Sequence, residues 1–204
     1  MLKLDHIALG ANDLTASSEA LSQKLGVLPF GGGEHELFGT HNKLWRIEAA
    51  GYPIYLELIA ANPEADPKRS RWFGLDRPFV GEDIELLGFV ASTSNIDRAI
   101  QKKPFDQFEV IDVTRGALSW RFGLNRDGSL AANGALPYLI EWQGERHPLD
   151  GVLSQHIELR SVAGRELETL DLDWPCLVRA ESEHNLSVEF VSAAGKALRF
   201  TRRP

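Results

Sequence analysis

The sequence has little cysteine, no long apolar run and no excess of positive charge. Its one cysteine, Cys176, cannot form an intrachain disulfide or a thiolate cluster, which agrees with a reducing compartment. We interpret Cys176 as a small packed side chain rather than a nucleophile. No segment approaches the roughly 20 apolar residues of a membrane helix, and the first residues lack the order of regions in a signal peptide. The sequence therefore predicts a cytoplasmic protein with no membrane contact.

The charge balance argues against a nucleic-acid partner. The chain carries 22 Lys and Arg against 29 Asp and Glu, a formal net charge of −7, whereas phosphate binding draws on clustered basic side chains. The exception is the run KRSRW at 68–72, which we interpret as a solvated connector that can steer an anionic substrate. The expected partner is a small molecule.

Apolar periodicity in the first 60 residues predicts the order βαβββ. Residues 4–10 alternate as a half-buried strand does, and Asn12 or Asp13 can cap a helix that runs to about Leu25 and ends at Gly26. Strands are predicted near residues 27–30, 43–49 and 54–60. Gly31, Gly32 and Gly33 lack the setting of a phosphate-binding loop, so we interpret them as a flexible or bulged turn.

The same order returns after a connector at 61–83. A strand is predicted at 86–92, a helix capped by Ser94 or Asn95 runs to about Lys102, and strands follow near 108–114, 117–124 and 137–143. LDHIALGANDLTA at 4–16 aligns with LLGFVASTSNIDRA at 86–99, and Pro53 to Glu57 aligns with Pro137 to Glu141. Repeats of this length indicate duplicated units that cover each other's apolar faces.

The tail from about residue 154 resembles the start of a third copy. QHIELRSVAG has the pattern of the first strand, a short helix to Leu170 follows, and strands are predicted near 176–181, 185–191 and 196–201, the last two joined by a hairpin turn at AAGK. This tail either packs on the main pair or mediates a homodimer. We predict an α+β fold in which tandem βαβββ modules form a cupped mixed sheet, with a C-terminal β-rich partial third module. The predicted segments are 1–60, 61–83, 84–150 and 151–204.

Two glutamates stand alone in strands that otherwise suit burial. PIYLELIA at 53–60 carries Glu57, and PYLIEWQG at 137–144 carries Glu141. A buried, unpaired carboxylate costs several kcal/mol, so each needs a partner, a metal or water. Strand alternation places His6 on one face of the first strand, with Asp5 on the other. We expect His6, Glu57 and Glu141 to meet inside the cup.

These residues resemble the vicinal oxygen chelate superfamily and, within it, the glyoxalase-like domain proteins. The resemblance covers roughly residues 3–150 and places metal ligands at His6, Glu57, position 88 and Glu141, although position 88 is Gly88 and offers no ligand. The stretch GGGEHELFGTHN at 31–42 is similar to the glyoxalase-like branch, which has a Gly-Gly, His, Gly-Thr, Asn pattern there; His35, Gly39, Thr40 and Asn42 match it.

The resemblance implies a metal-dependent lyase, isomerase or dioxygenase that acts on a small oxygenated molecule. One imidazole and two carboxylates favour Mn, Fe(II), Ni or Mg, and zinc is also compatible. Such a metal would polarise a carbonyl while a nearby base moves a proton. His35 or His147 is the candidate base, and the candidate substrate contacts are Thr40, Asn42, Arg46 and Arg121.

An interpretation without a metal explains the repeated glutamates equally well. Arg46 and Arg121 lie on the strands that precede the two glutamates and can neutralise them as ion pairs. The chain is then a binding protein that sequesters a small molecule, with no metal cofactor.

Overall fold

A computed structural model describes residues 1–77, 84–178 and 186–202. The first unit has the predicted order βαβββ. Its elements are β1 (Leu2–Ala11), α1 (Leu14–Leu25), β2 (Gly31–His35), β3 (Thr40–Ala49) and β4 (Tyr52–Ala61).

Helix α1 begins and ends where its capping residues predict. The Asp13 side chain accepts a hydrogen bond from the backbone N–H of Ala16 at 3.0 Å, which satisfies one of the free donors of the first turn. Gly26 ends the helix with φ of 76°, a conformation that costs glycine little. Leu21 and Leu25 are fully buried against the sheet. The capping residues therefore set where this helix begins and ends, and its buried leucines hold it on the sheet.

The glycine-rich segment differs from its prediction. Residues 27–30 form no strand, and Gly31–His35 form β2 rather than a turn, paired antiparallel with β3. A Cβ on Gly32 would lie 2.2 Å from the carbonyl oxygen of Asn42, so glycine permits a close approach of the two strands.

The second unit repeats the order with a shorter helix. Helix α2 is one turn long, capped by Asn95, and ends at Ala99 rather than at Lys102. Pro104 lacks a backbone N–H and disfavours helical geometry in the residue before it, which limits any extension. The elements are β5 (Ile84–Ser92), α2 (Ile96–Ala99), β6 (Glu109–Arg115), β7 (Leu118–Leu124) and β8 (Tyr138–Gln143).

The two units join through their first strands. β1 pairs parallel with β4 on one side and antiparallel with β5 on the other, and β5 pairs parallel with β8. Three C-terminal strands, β9 (Glu158–Gly164), β12 (Leu186–Val191) and β13 (Ala197–Arg202), extend the sheet. Within the described residues the sheet order is β13-β12-β9-β3-β4-β1-β5-β8-β7-β6. This mixed sheet with few helices confirms the predicted α+β class, whereas the exact segment boundaries stay a prediction.

The C-terminal residues extend the sheet of the first unit. β9 (Glu158–Gly164) pairs with the end of β3 and with β12 (Leu186–Val191), which forms the predicted hairpin with β13 (Ala197–Arg202). β10 (Leu172–Asp173) pairs with β1, and β11 (Leu177–Val178) pairs with β9. The predicted short helix is a 3-10 turn at Leu167–Thr169, and residues 179–181 of the predicted strand 176–181 lie outside the described residues.

This C-terminal segment packs on the main sheet. Val162, Val188 and Phe190 are fully buried, and Cys176 is a packed side chain whose thiol pKa is raised by burial. The homodimer stays a prediction.

The connector contributes a wall to the interior of the cup. A 3-10 turn at Trp72–Gly74 buries Trp72 and Phe73. The basic run before it is not a free solvated face, because Arg69 pairs with Glu109 and Arg71 with Asp76. Residues 78–83 of the predicted connector lie outside the described part of the chain. Neither α1 nor α2, the α-helices among the described residues, has the length that a bilayer crossing needs.

Candidate functional site

A small cavity lies on the concave side of the sheet, between the two units. Its volume is about 30 Å³, room for about two water molecules. Strands β1, β3 and β4 supply its polar wall through His6, Asn42 and Glu57. The second unit and the connector supply a mostly aromatic wall. The cavity therefore combines aromatic walls with a few convergent polar groups, as ligand sites do.

His6 is held by a carboxylate that strand alternation did not predict. Its Nδ1 lies 2.7 Å from Oδ1 of Asp5, whose Oδ2 accepts a hydrogen bond from Nε1 of Trp142 at 2.9 Å. The pairing of β1 with β5 shifts register between Leu4 and His6, and such a bulge turns two successive side chains toward one face. The expected placement of Asp5 on the opposite face is therefore wrong.

Asp5 is ionised in the folded protein. Burial alone would raise the pKa of its carboxyl, but the nearby His147 ring and hydrogen bonds from His6 and Trp142 hold that pKa well below its usual range. Because an ionised carboxylate only accepts, Nδ1 of His6 carries the hydrogen. Nε2, on the opposite edge of the ring, is then free of Asp5.

Glu57 lies on that other side. Its Oε2 is 3.6 Å from Nε2 of His6, and its Oε1 accepts a hydrogen bond from Nδ2 of Asn42 at 2.5 Å. The His6 ring stacks on Tyr55 with centroids 4.4 Å apart, which fixes the ring plane. The cup thus brings together two of the three predicted metal ligands, His6 and Glu57, with the imidazole between two carboxylates.

Asn42 and His35 are linked by an arginine that sequence reasoning missed. Nη1 of Arg115 donates to Nε2 of His35 at 3.0 Å and to Oδ1 of Asn42 at 3.2 Å. Burial, followed by the charge of Arg115, lowers the pKa of His35 well below its ordinary value. His35 is therefore neutral, and its acceptor nitrogen is occupied. Arg115 ends β6 just before a turn, and nothing in its spacing marked it.

Thr40 supports the wall of the cavity. Its hydroxyl accepts a hydrogen bond from Nε1 of Trp72 at 3.0 Å and contacts Nδ1 of His35 at 3.1 Å. It is almost fully buried. Thr40 therefore positions His35 and the connector.

Glu141 lies outside the cavity, so the expected convergence of three groups is wrong. Its Oε2 accepts a hydrogen bond from the backbone N–H of Ile96 at 3.0 Å, at the start of α2. Its neighbours on β8, Ile140 and Trp142, face the cavity instead. Because side chains alternate along a strand, Glu141 must point to the helix side. The sequence alignment of the two copies is therefore one residue out of register here.

The two predicted arginines also lie elsewhere. Arg46 pairs with Glu48 at 3.0 Å, so its expected pairing with Glu57 is wrong. Arg121 lies 3.6 Å from Glu141, as the ion-pair interpretation predicts, but its shortest contacts are two hydrogen bonds to Asp97 at 2.7 and 2.8 Å. Neither arginine lines the cavity.

His147 lies at the edge of the site. Its ring contacts Trp142 with centroids 4.9 Å apart, and its Nδ1 accepts a hydrogen bond from the backbone N–H of Leu149 at 3.2 Å. Its Nε2 is 4.0 Å from Oδ2 of Asp5. His147 therefore supports the carboxylate that holds His6.

The donor set does not match the three-ligand metal site implied by the resemblance. His6 and Glu57 supply two donors, and the described residues contain no group of three His, Cys, Asp or Glu placed to hold an ion. A Cβ on Gly88 would lie 2.8 Å from the carbonyl oxygen of Gly134, so position 88 has no room for a ligand side chain.

The sequence pattern of the Glyoxalase-like domain matches residues 4–173. The chain belongs to the glyoxalase-like domain family. This confirms the resemblance to the glyoxalase-like domain proteins. Curated protein sequences gave no match to this glyoxalase-like chain.

Solved structures resemble the glyoxalase-like chain at low identity. A Streptomyces coelicolor methylmalonyl-CoA epimerase is 20% identical over 71% of this chain and 100% of its own, with a TM-score of 0.47. The Mycobacterium tuberculosis methylmalonyl-CoA epimerase is 18% identical over 69% of this chain and 88% of its own, with a TM-score of 0.46. A hypothetical protein from Bacillus halodurans is 18% identical over 72% and 96%, with a TM-score of 0.44. Similarities at this level do not indicate a substrate.

Proposed function

We propose that this glyoxalase-like protein is an enzyme that moves a proton on a small oxygenated molecule, with Glu57 as the base and His6 as its proton partner. The observation that carries the proposal is the placement of the His6 imidazole between Asp5 and Glu57, in a buried cavity. A catalytic acid or base must lie within reach of the proton that it transfers, and burial strengthens its electrostatic interactions with substrate.

The hydrogen bonds assign a role to each side chain. Asn42 holds Oε1 of Glu57, so Oε2 on the His6 side is the atom that takes a proton from a carbon next to a carbonyl. The electrons of the broken C–H bond move to the carbonyl oxygen. Nε2 of His6, which carries no hydrogen in the neutral ring, accepts the proton from Oε2 of Glu57 and passes it to that oxygen. Asp5 fixes the tautomer and orientation of His6 throughout.

The contacts of Glu57 favour this reaction over the two alternatives. Metal dependence would require a third donor beside His6 and Glu57, and neither Gly88 nor Glu141 supplies one. The sequestering protein would require Arg46 to neutralise Glu57, but Arg46 is engaged by Glu48. Glu57 instead faces an imidazole, an arrangement suited to proton transfer.

Proton exchange with solvent tests the proposal. The protein is incubated in D₂O with carbonyl compounds of two to five carbons, and exchange of the carbon-bound proton is followed by NMR. We expect exchange with the wild type and a loss of about 100-fold or more in Glu57→Gln, the range for removal of a general base. Glu36→Gln, which removes an exposed carboxylate, is the matched control.

Two results would overturn the proposal. One is equal exchange in Glu57→Gln and wild type, with thermal melting showing that both are folded. The other is the absence of exchange for every compound until Mn²⁺, Ni²⁺ or Zn²⁺ is added, which would restore the metal-dependent hypothesis.

A further inference from the structure

Arg115 belongs to the second unit but reaches into the wall of the first. It is the last residue of β6, and its side chain lies along Gly33 of β2. A Cβ on Gly33 would be 3.0 Å from Cδ of Arg115, closer than ordinary van der Waals contact. The glycine at this position therefore gives the arginine its path to the cavity.

The guanidinium of Arg115 has no counter-ion within the described residues. Its hydrogen bonds within the described part of the chain, to Nε2 of His35 and Oδ1 of Asn42, both go to neutral groups. No described carboxylate lies within 4.0 Å of it, whereas Arg46, Arg69, Arg71 and Arg121 each pair with one. Because arginine stays charged, this part-buried position carries a positive charge that is not neutralised locally.

Asn42 keeps that charge apart from the proposed base. An arginine only donates and an ionised carboxylate only accepts, so the amide must turn its oxygen to Arg115 and its nitrogen to Glu57. The Asn42 side chain thus lies between the Arg115 cation and the Glu57 carboxylate and hydrogen-bonds both. The cation remains available to a ligand while Glu57 keeps its free oxygen toward His6.

Arg115 also stands where the cavity meets a larger surface pocket. The pocket has a volume of about 490 Å³ and is lined by Gly31, Gly32 and Gly33, by the turn after β6 and by Pro148. It shares Leu44 and Arg115 with the inner cavity of about 30 Å³. The inner cavity is too small for more than the reacting end of a molecule, and the outer pocket has room for the rest.

We propose that the substrate of this site is a small carboxylate whose carboxyl group binds Arg115 at the inner end of the outer pocket, with its reactive carbon directed toward Glu57. This inference rests on the proposed proton transfer. Two features support the carboxylate class. A planar guanidinium matches a carboxylate with two parallel hydrogen bonds. The negative charges of Asp5 and Glu57 disfavour an anionic group anywhere deeper in the cup, which orients the molecule.

Binding of paired anionic and neutral probes tests the proposal separately from catalysis. Calorimetric titrations and melting curves compare glycolate, lactate, pyruvate and malonate with the neutral lactamide and pyruvamide. The proteins are wild type, Arg115→Gln, Arg115→Lys, Gly33→Ala and Glu57→Gln. Arg165→Gln, an exposed arginine at a distance from the cavity, is the charge-matched control.

We expect at least one carboxylate to bind wild type and Arg165→Gln with similar affinity, and to bind Glu57→Gln no more weakly, since that variant only removes a negative charge. The matching amide should bind wild type at least tenfold more weakly. Arg115→Gln should lose tenfold or more in carboxylate affinity. Arg115→Lys should lose less, since it keeps the charge without the two-pronged geometry. Gly33→Ala should also weaken binding, because its methyl group displaces the guanidinium.

Each failure is distinguishable from failure of the proposed function. No binding of any carboxylate to folded wild type, or equal binding to Arg115→Gln, overturns the carboxylate proposal whatever the exchange experiment shows. Carboxylate binding that depends on Arg115, together with proton exchange that survives in Glu57→Gln, supports the binding site and overturns the role of Glu57.

Discussion

At the scale of single residues, the site depends on hydrogen bonds that decide which nitrogen and which oxygen faces the cavity. Asp5 fixes His6, Asn42 fixes Glu57, and Arg115 fixes His35. In each contact one group can only donate or only accept, so it sets the orientation of the imidazole or amide that it meets, in His6, Asn42 and His35. Replacing one member changes the protonation or orientation of the next.

His35→Gln should reduce the loss of stability in mild acid. Burial and Arg115 lower the pKa of His35 well below 6.5, whereas in the unfolded chain it returns to that value. As pH falls below 6.5, the unfolded state takes up a proton that the folded state does not, and the free energy of unfolding falls by up to about 1.4 kcal/mol per pH unit. Urea unfolding of both proteins from pH 7.5 to 5 measures the difference.

The control for this experiment is His156→Asn, which removes an exposed imidazole and suits the left-handed backbone there. His156→Asn should keep the wild-type slope with pH. An identical slope in His35→Gln would show that His35 titrates normally in the folded protein.

At the scale of elements, the sequence predicted the features that depend on residues close in the chain, such as helix caps. It did not predict the features that depend on pairing with a distant strand. Asp13 and Gly26 specify α1 by their own chemistry, and both caps were predicted. The bulge that turns Asp5 to His6 arises from pairing with β5, which alternation along one strand cannot predict. Glu141 was misplaced for a related reason, since its face depends on the register of β8. The site residues whose placement depends on long-range strand pairing, Asp5 and Glu141, are therefore the ones that were placed wrongly.

Trp72, in the connector turn at one wall of the cavity, should contribute strongly to the stability of the fold. Trp72 stacks on Phe38 with centroids 3.8 Å apart and donates to Thr40. Trp72→Ala should lower the free energy of unfolding by about 3–5 kcal/mol, the range for removal of a large buried aromatic. Trp72→Phe, which keeps a ring and loses the hydrogen bond, should cost about half as much or less. Guanidinium unfolding gives both values, and equal costs would contradict a packing role for the ring.

At the scale of the whole molecule, the C-terminal segment completes the sheet that carries the site. β9 pairs with β3, the strand of Asn42, and β10 pairs with β1, the strand of His6. Sequence reasoning predicted the strands of this segment but not its place, because a partial repeat can cover its own chain or another copy equally well. In the structure, Val162, Val188 and Phe190 are buried against the sheet, so the segment packs on its own chain.

Truncation after residue 150 should therefore unfold the protein rather than release a smaller folded unit. The cut removes buried apolar side chains and leaves the edge of β3 unpaired. Circular dichroism and urea unfolding of the two chains test this, and a cooperative transition with an unchanged midpoint would contradict it. Light scattering of the full chain measures whether the predicted homodimer forms.

The contact between Gly88 and Gly134 limits how the site can change over time. A single-codon replacement at position 88 would drive a side chain into the carbonyl of the 131–134 turn, so any such variant must first relocate that loop. Descendants of this protein can therefore alter what the pocket accepts far more readily than they can gain a metal ligand at position 88.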